Sequence, residues 1–397
     1  MFSDRISRIQ PSATLAMTSK AAELKQANKP VYNMSVGEPD FLTPKNIQDA
    51  GIYAIQKGHT KYTPGGGTFN LKNAICEKLK RDNKLEFDIN QIVVSCGGKH
   101  SLYNACQVLF QKKDEVIIFK PYWVSFPDFV TVTGAKPVFV NTDPFKQNEP
   151  DFDDLTRKIT KNTKGIIINS PSNPTGGVWS DDAVNKLLDI FKKRPDVWIF
   201  SDECYEQLTY DKPFKSIATF APHLKNLLTF QSCSKTYAMT GWRIGYIAGN
   251  KELVKAVSKL QGQSTSCPNS IAQYAAIEAL TGDQSCVADM KKIFHARRDL
   301  VLEELHKIPD VTCEKPNGAF YVFPNFKHYI NSYDSYGKKI QTSSDLSLYI
   351  LEQTGVVTVA GDSFGAPNNI RLSYATSNET ISTAVSLIES ALKKLDF

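Results

Sequence analysis

The sequence is poor in the residues that build small metal sites and disulfide-stapled folds. Only eight of its 397 residues are cysteines, and no two of them are spaced as CxxC. The six histidines are scattered and form no HExxH pattern, which argues against a metal site. So few cysteines in so long a chain exclude a disulfide-rich secreted scaffold, and free thiols in a reducing compartment are expected.

Long apolar runs and blocks of like charge are also missing. No segment approaches the roughly 18 apolar residues of a membrane span, and residues 1–17 carry charges and a proline where a signal peptide needs an apolar run. The net charge of +6 is mild for this length, which gives a nucleic-acid role little support. We therefore expect a cytoplasmic protein that acts on small molecules, with neither membrane nor nucleic acid as a partner.

What the sequence does contain is a regular alternation of short apolar runs and helical patterns. The runs are apolar throughout, which is typical of strands buried on both faces of a mostly parallel sheet. Helical periodicity between them, with Leu71, Ala74, Ile75 and Leu79 on one face, predicts a doubly wound α/β domain. The seven predicted strands are IVVSC (92–96), VIIF (116–119), PVFV (137–140), GIIINS (165–170), VWIFSDE (197–203), LLTFQS (227–232) and GYIAG (245–249).

The last part of the chain has a different pattern. Strand-like GAFYVFP and NIRLSYA precede one helical stripe, and Thr376 and Glu379 have the spacing of a capping box at its start. We predict an N-terminal arm and part of a small domain over 1–46, a large α/β domain over 47–284, and a small α+β domain over 285–397. The stripe consists of Ile381, Ala384, Val385, Ile388, Leu392 and Leu395.

One lysine lies in unusual surroundings. The segment SCSKTYAMTGWRIGY (232–246) places Lys235 among small hydroxyl residues and glycines, with Arg243 eight residues later. A lysine whose neighbours lower its pKa can act as a nucleophile toward carbonyl compounds, including pyridoxal phosphate. That cofactor further needs a phosphate cradle, a carboxylate at its pyridine nitrogen, an aromatic face, and a donor to its phenolic oxygen.

Candidates for the phosphate cradle lie in two segments. The sequence SCGGKHSLYN follows a predicted strand and opens an apolar helical pattern, so its amides could bind a phosphate at a helix N-terminus. Near the lysine, two hydroxyls and the fork of a guanidinium suit the same anion. A diglycine before a helix is more often only a tight turn, so this signal is weak by itself. The candidate residues are Gly97, Gly98, Lys99, Ser232, Ser234 and Arg243.

Candidates for the other requirements also follow predicted strands. Asp202 ends the strand VWIFSD, Tyr205 lies three residues later, Trp123 follows another strand, and Asn173 lies in the strand-end loop NSPSNPTGG. A strand-end aspartate is often a helix cap, and a tryptophan is more often a core residue. All of them, however, fall at the carboxyl ends of strands of one sheet, where α/β proteins bind ligands. This common position favours the functional interpretation.

The lysine segment resembles the signature of class I pyridoxal-phosphate aminotransferases. It has Ser-x-Ser-Lys, an arginine eight residues after the lysine, and a glycine two residues later. Within the family the likeness is to bacterial-type aspartate aminotransferases that also accept prephenate, which implies fold type I of the pyridoxal-phosphate enzymes. Seven further segments resemble the family in the same order: VGEPDF, KYTPGGG, GGKHSLYN, PYWVSFPD, NSPSNPTGG, SDECYE and NIRLSYATS.

The resemblance implies a role for each central residue. Lys235 would bind pyridoxal phosphate covalently and move a proton during the reaction, while Asp202 would pair with the pyridine nitrogen. Tyr205 and Asn173 would contact the phenolic oxygen, and Trp123 would stack on the ring beside the substrate. The implied reaction converts aspartate and 2-oxoglutarate to oxaloacetate and glutamate, and prephenate to arogenate.

The resemblance also implies how the substrate is bound. Arg371 would hold the α-carboxylate bidentately, assisted by Asn173 and by the backbone of Gly37. Lys99 and Thr14 would bind the distal acid group, because a flexible ammonium tolerates carboxylates at different distances better than a rigid guanidinium does. Without the resemblance, a solvent-directed Lys99 and a helix-capping Thr14 would be the simpler interpretation.

Tyr62 of KYTPGGG would reach the phosphate of a neighbouring subunit, which implies a homodimer with shared active sites. The phosphate loop has no hydroxyl at Gly97 or Lys99, so backbone contacts are expected there. Three alternatives stay open: an aromatic or alanine aminotransferase, a β-lyase, and a non-catalytic binding protein of the same fold. A dinucleotide-binding dehydrogenase is excluded, because no G-x-G-x-x-G follows a predicted strand.

Overall fold

The computed structural model describes residues 2–9, 19, 21–24, 26 and 28–397. The strands, numbered in chain order, are β1 (Tyr32–Asn33), β2 (Ile92–Ser95), β3 (Glu115–Phe119), β4 (Lys136–Val140), β5 (Thr142–Asp143), β6 (Glu149–Pro150), β7 (Thr163–Asn169), β8 (Trp198–Asp202), β9 (Leu227–Ser232), β10 (Gly245–Ala248), β11 (Tyr321–Val322), β12 (Val356–Val357), β13 (Val359–Ala360) and β14 (Ile370–Ser373).

The α-helices of the described residues connect and cover these strands. They include Asp4–Ser7, Lys45–Gln56, Phe69–Asn83, Gly98–Leu109, Ser125–Thr131, Phe152–Lys158, Asp181–Phe191, Cys233–Thr236, Lys251–Gly262, Ser270–Thr281, Ser285–Leu305, Ser343–Thr354 and Asn378–Leu392. Within the described ranges, none of them combines the length and the apolar character that crossing a bilayer requires.

A seven-stranded sheet forms the centre of the large part of the molecule. Its strand order is β2-β10-β9-β8-β7-β3-β4. The pairs from β9 to β4 are all parallel, whereas β10 runs antiparallel to both β2 and β9. The prediction of a mostly parallel sheet built from these seven runs is confirmed. Because parallel strands end at the same edge, the residues that follow β3, β7, β8 and β9 lie close together.

Apolar side chains cover both faces of this sheet, which explains the unbroken apolar runs. Ile117 and Ile199 pack into one core cluster, while their chain neighbours Ile118 and Phe200 pack into the cluster on the other face. The alternation follows from the two-residue period of a strand. The predicted face of the helix Phe69–Asn83 is buried in the first cluster, as its apolar spacing required.

The C-terminal part has a core of its own around a three-stranded antiparallel sheet. The strand order is β11-β14-β13, and the helices Ser285–Leu305, Ser343–Thr354 and Asn378–Leu392 pack on this core. Near the chain start, β1 pairs in parallel with β12. This pairing attaches the N-terminal segment to the C-terminal part. After β1 the chain continues into the large part of the molecule.

The predicted capping box of the last helix is wrong by one residue. The helix begins at Asn378, and Ser377 is its N-cap, with its Oγ accepting a hydrogen bond from the amide of Thr380 at 3.1 Å. Ser377 has the extended backbone that an N-cap requires, so the third helical position is Thr380 and not Glu379. The predicted stripe is buried, but Leu395 lies beyond the helix end at Leu392.

Candidate active site

A cavity of about 380 Å³ opens at the carboxyl edge of the sheet, with walls from both parts of the molecule. It brings together every predicted site residue except three. Gly97 lies directly before the lining residue Gly98, Tyr62 is 89% exposed outside the cavity, and Thr14 lies outside the described residues. The lining consists of Gly37, Gly98, Lys99, Leu102, Trp123, Val124, Asn169, Asn173, Asp202, Cys204, Tyr205, Ser232, Ser234, Lys235, Arg243, Tyr321, Phe364 and Arg371.

Lys235 enters the cavity from the short helix that follows β9. Its Nζ donates a hydrogen bond of 2.5 Å to the carbonyl oxygen of Gly37. Burial lowers the pKa of Lys235, and the positive charges of Arg243 and Arg371 act in the same direction, against Cys204 and Glu38. A lowered pKa enriches the neutral amine, which is the nucleophilic and basic form.

Asp202 ends β8 and is 6% exposed. One carboxylate oxygen accepts a hydrogen bond of 3.2 Å from the amide of Cys204. Burial raises the pKa of Asp202 to about 7, and the adjacent Glu203 adds to the increase, while Lys235 opposes it. A ligand that brings a cationic N–H donor into the cavity would stabilise the ionised form of this buried carboxylate.

Arg371 is a buried guanidinium on β14, with only 4% of its surface exposed. Its Nη1 donates to Asn173 Oδ1 at 2.9 Å and its Nη2 to the carbonyl oxygen of Ser35 at 2.7 Å. The guanidinium carbon lies 4.5 Å from the ring centroid of Tyr321 and 5.3 Å from that of Phe364.

No described carboxylate pairs with Arg371, and its Nε has no hydrogen-bond partner. Burial accordingly lowers the pKa of Arg371. An isolated buried charge is costly, and a carboxylate ligand offers the planar, bidentate partner that suits a guanidinium. The arrangement is that of a binding site for a small carboxylate.

The start of the helix Gly98–Leu109 forms an anion cradle. The first-turn amides of a helix lack intrahelical acceptors and attract negative charge, and Ser232 and Ser234 line the same cavity. Arg243 is held there by a bond of 2.8 Å from its Nη1 to the carbonyl oxygen of Thr240. A Cβ at Gly97 (φ +92°) would lie 2.4 Å from Arg243 Nη2, so this position requires glycine.

Lys99 and Trp123 form one wall. The Lys99 Nζ lies 4.9 Å from the ring centroid of Trp123, which packs edge-on against Phe126 and Phe129. Burial and the charge of Arg243 lower the pKa of Lys99, whereas Asp128 raises it. The wall presents an aromatic face and an ammonium to the cavity.

Several lining residues escaped the sequence analysis. Asn169 ends β7, donates to the carbonyl oxygen of Asp202 at 3.2 Å and accepts from the amide of Asn173 at 2.8 Å. Its position at a strand end could have revealed it. Tyr321, whose hydroxyl lies 2.9 Å from that of Tyr205, had no such signal, because only the pairing of β11 with β14 brings it beside Arg371.

Comparison with known proteins places this geometry in context. The model of the family "Aminotransferase class I and II" matches residues 29–388. The chain is 45% identical to a probable aspartate/prephenate aminotransferase of Rhizobium leguminosarum bv. phaseoli, with 97% of each chain covered. It is 43% identical to the aspartate aminotransferase of Bacillus subtilis, with 98% of each covered.

Solved structures agree with these relatives. The aspartate aminotransferase of Rhizobium meliloti superposes with a TM-score of 0.96 at 40% identity, covering 100% of both chains. The Thermus thermophilus aspartate aminotransferase with maleate superposes with a TM-score of 0.92 at 36% identity, covering 98% of this chain and 99% of that one.

Proposed function

The chain belongs to the aminotransferase class I and II family, and we propose that it transfers the amino group of aspartate to 2-oxoglutarate and also accepts prephenate. The names of its full-length relatives support these substrates. The observation that carries the proposal is Arg371, a buried guanidinium without a described carboxylate partner that faces the same cavity as Lys235. An amino acid supplies the missing carboxylate and places its Cα near the amine.

The residues present fit pyridoxal phosphate as the cofactor. A phosphate suits the cradle described above, and the absence of a Cβ at Gly97 leaves room for the Arg243 guanidinium there. Asp202 would pair with the pyridine nitrogen, Tyr205 and Asn173 would contact the phenolic oxygen, and Trp123 would cover the ring. When bound, pyridoxal phosphate supplies an electron sink for the negative charge that develops at the substrate Cα.

The protein's own groups would then bind, orient and move protons. The neutral amine of Lys235 accepts the proton released from the substrate Cα and returns it as an ammonium. The carbonyl oxygen of Gly37, at 2.5 Å, orients Nζ. Asp202 would carry the negative charge that pairs with the protonated ring nitrogen, and the burial of Asp202 and Lys235 keeps water from competing with them.

Replacing Arg371 by Lys tests the proposal. The lysine keeps a buried charge but loses the parallel donors that fit a carboxylate. We expect kcat/KM to fall roughly tenfold to 150-fold, which corresponds to a loss of about 1.5–3 kcal/mol of binding free energy in the transition state. The fall should be the same for aspartate, glutamate, prephenate and phenylalanine, because all four carry the carboxylate that Arg371 is proposed to bind. Unchanged kinetics with every substrate would mean that the α-carboxylate binds elsewhere.

Lys99 is proposed to bind the distal acid group of the substrate, together with Thr14. For Lys99→Ala we expect kcat/KM to fall for aspartate, glutamate and prephenate. The fall should correspond to a loss of about 2–3 kcal/mol of binding free energy in the transition state, the usual cost of a lost charge-assisted contact. Phenylalanine, which has no distal acid, should react as before. Steady-state kinetics with the four substrates measure this, and an equal fall for aspartate and phenylalanine would assign Lys99 to the cofactor instead.

We propose a homodimer in which Tyr62 reaches the phosphate of the partner's site. Exposed apolar side chains in one stretch of chain favour a protein partner. They are Leu42, Ile52, Tyr53, Ile55, Tyr62 and Phe69. A solution mass equal to one chain of 44.3 kDa would contradict the dimer. The cytoplasm stays the proposed compartment, supported by eight free thiols.

A further inference from the structure

A cluster of buried polar groups lies beneath the active site, on the opposite face of the sheet. Its members are at most 6% exposed, although the surrounding side chains on that face are apolar. Buried polar groups are costly unless they are fully paired. The cluster consists of Lys78, Asn83, Glu203, Glu206, Gln231 and Tyr246.

Gln231 of β9 connects the cluster. Its Oε1 accepts hydrogen bonds from Lys78 Nζ at 2.7 Å and from the Tyr246 hydroxyl at 2.8 Å. Its Nε2 donates to Glu203 Oε2 at 3.1 Å and to Glu206 Oε2 at 3.0 Å. Lys78 also forms an ion pair with Glu206. Among the described residues the cluster holds no second cation, so Glu203 has no ion-pair partner there.

Glu203 is held by four donors. Its Oε1 accepts from Ser201 Oγ at 2.8 Å, Ser216 Oγ at 2.7 Å and the amide of Ile217 at 3.2 Å, in addition to the contact from Gln231. Burial and the charge of Glu206 raise the pKa of Glu203 to about 7, while three of these donors, the side chains of Ser216, Ser201 and Gln231, act in the opposite direction. These four donors fix the side chain in its ionised form.

Strand geometry links this cluster to the active site. Successive residues of a strand point to opposite faces, so Asp202 faces the cavity while Glu203 faces the cluster. The amide of Glu203 continues the β8–β9 ladder by donating to the carbonyl oxygen of Phe230 at 2.9 Å. On β9 the same alternation places Gln231 in the cluster and Ser232 in the cavity.

We propose that Glu203 is a positioning residue for Asp202, because its carboxylate, held by four donors on the far face of the sheet, fixes the end of β8. When it is ionised, Glu203 also adds a negative charge behind Asp202. This inference rests on the proposed function, in which Asp202 pairs with the cofactor. The charge of Lys78 acts in the opposite sense, because it neutralises Glu206 and so limits the negative charge behind Asp202.

The titratable groups near Glu203 lie on several elements that pack around it. Asp202 and Glu206 belong to its own segment, the helix Phe69–Asn83 contributes Lys78, and β10 contributes Tyr246. Cys233 and Tyr237 follow β9, and the Arg81–Asp82 pair lies farther out. Burial raises the pKa values of the thiol and of both phenols, so these three stay neutral over the range of the test.

Two substitutions with opposite electrostatic signs test the proposal. Glu203→Gln removes the negative charge that Glu203 carries in the upper part of the tested pH range, so Asp202 should ionise at lower pH. Lys78→Met removes the cation at nearly constant side-chain length and leaves Glu206 uncompensated, so Asp202 should ionise at higher pH. The measurement is the affinity of pyridoxal phosphate for the cofactor-free protein between pH 5.5 and 9, read from the quenching of tryptophan fluorescence. We expect midpoint shifts of about one pH unit in opposite directions.

Asp154→Asn is the matched control. Asp154 is also a buried carboxylate, with hydrogen bonds from the amide of Asn141 at 2.9 Å and from Lys158 at 2.7 Å, but it lies beside β4 at the edge of the sheet. Its substitution should lower the melting temperature and leave the midpoint unchanged. The ionisation of the cofactor phosphate is common to all variants and cancels in the comparison.

Opposite shifts support the proposal. Shifts in the same direction, or weaker binding without a shift in either variant, overturn it. If Lys78→Met does not fold, the sign of the shift in Glu203→Gln decides alone. Asp202→Asn should remove the part of the pH dependence that Asp202 contributes and leave the part that comes from the cofactor phosphate and Lys235; if it keeps the wild-type transition, the proposed role of Asp202 is wrong. An unshifted transition in Glu203→Gln would contradict only the role of Glu203.

Discussion

Lys235→Ala should lose transamination by a factor of at least about 10⁴ while it keeps the fold. The substitution removes the covalent attachment point, and it removes a general base that is worth about 10²–10⁴ by itself. Among the described residues the Lys235 side chain has one hydrogen bond, to the carbonyl oxygen of Gly37, so its removal should cost little stability. Turnover of aspartate with 2-oxoglutarate measures the loss, and circular dichroism checks the fold.

Reduction with borohydride gives an independent measurement. In the wild type it should fix pyridoxal phosphate on the peptide that contains Lys235 and bleach the visible absorption of the protein. Lys291→Ala is the matched control, because burial also lowers the pKa of Lys291 but its side chain does not line the cavity. Turnover of Lys235→Ala within tenfold of the wild type, or labelling at Lys291, would refute the assignment.

Asp202→Asn should lower turnover by roughly 10²–10⁴, the equivalent of about 3–5 kcal/mol for breaking a buried charge pair. Asparagine keeps the size of the side chain and an acceptor for the Cys204 amide, but it carries no charge to hold a proton on the pyridine nitrogen. Stopped-flow measurement of the first half-reaction isolates this effect from substrate binding. If cofactor affinity and turnover fell by the same factor, Asp202 would be a binding residue only.

The same substitution should stabilise the cofactor-free protein at neutral pH. Burial raises the pKa of Asp202 from its ordinary 3.8 to about 7, so the folded state keeps a proton that the unfolded chain releases between these values. The wild type therefore loses stability as the pH rises from about 4 to about 7, and asparagine does not titrate. The melting temperature of Asp202→Asn, relative to the wild type, should be higher at pH 8 than at pH 4.5; an equal difference at both pH values would contradict the raised pKa.

Much of the site could be predicted because its residues are adjacent to strong local signals. Asp202 and Ser232 end runs of apolar residues that are typical of buried strands, and parallel strands bring their carboxyl ends to one edge of the sheet. The N-cap at Ser377 shows the limit of such reasoning, since two neighbouring hydroxyl residues, Thr376 and Ser377, fit the pattern. The backbone conformation decided between them.

Only the tertiary structure shows how distant segments complete the site. Arg371 is recognisable in the sequence by resemblance, yet its lack of a carboxylate partner in the described part of the chain depends on the packing of Ser35, Tyr321 and Phe364 around it. The polar cluster behind Asp202 likewise joins Lys78 to Glu206, 128 residues later.

The sequence by itself determined the order of the strands along the chain, the family and the identity of the central lysine, because apolar periodicity and short motifs are local properties. The tertiary structure decided which charges stand alone and which are paired. Burial and pairing depend on the neighbours that folding brings together across long separations in the chain, and those neighbours set the pKa values of Lys235, Asp202 and Arg371.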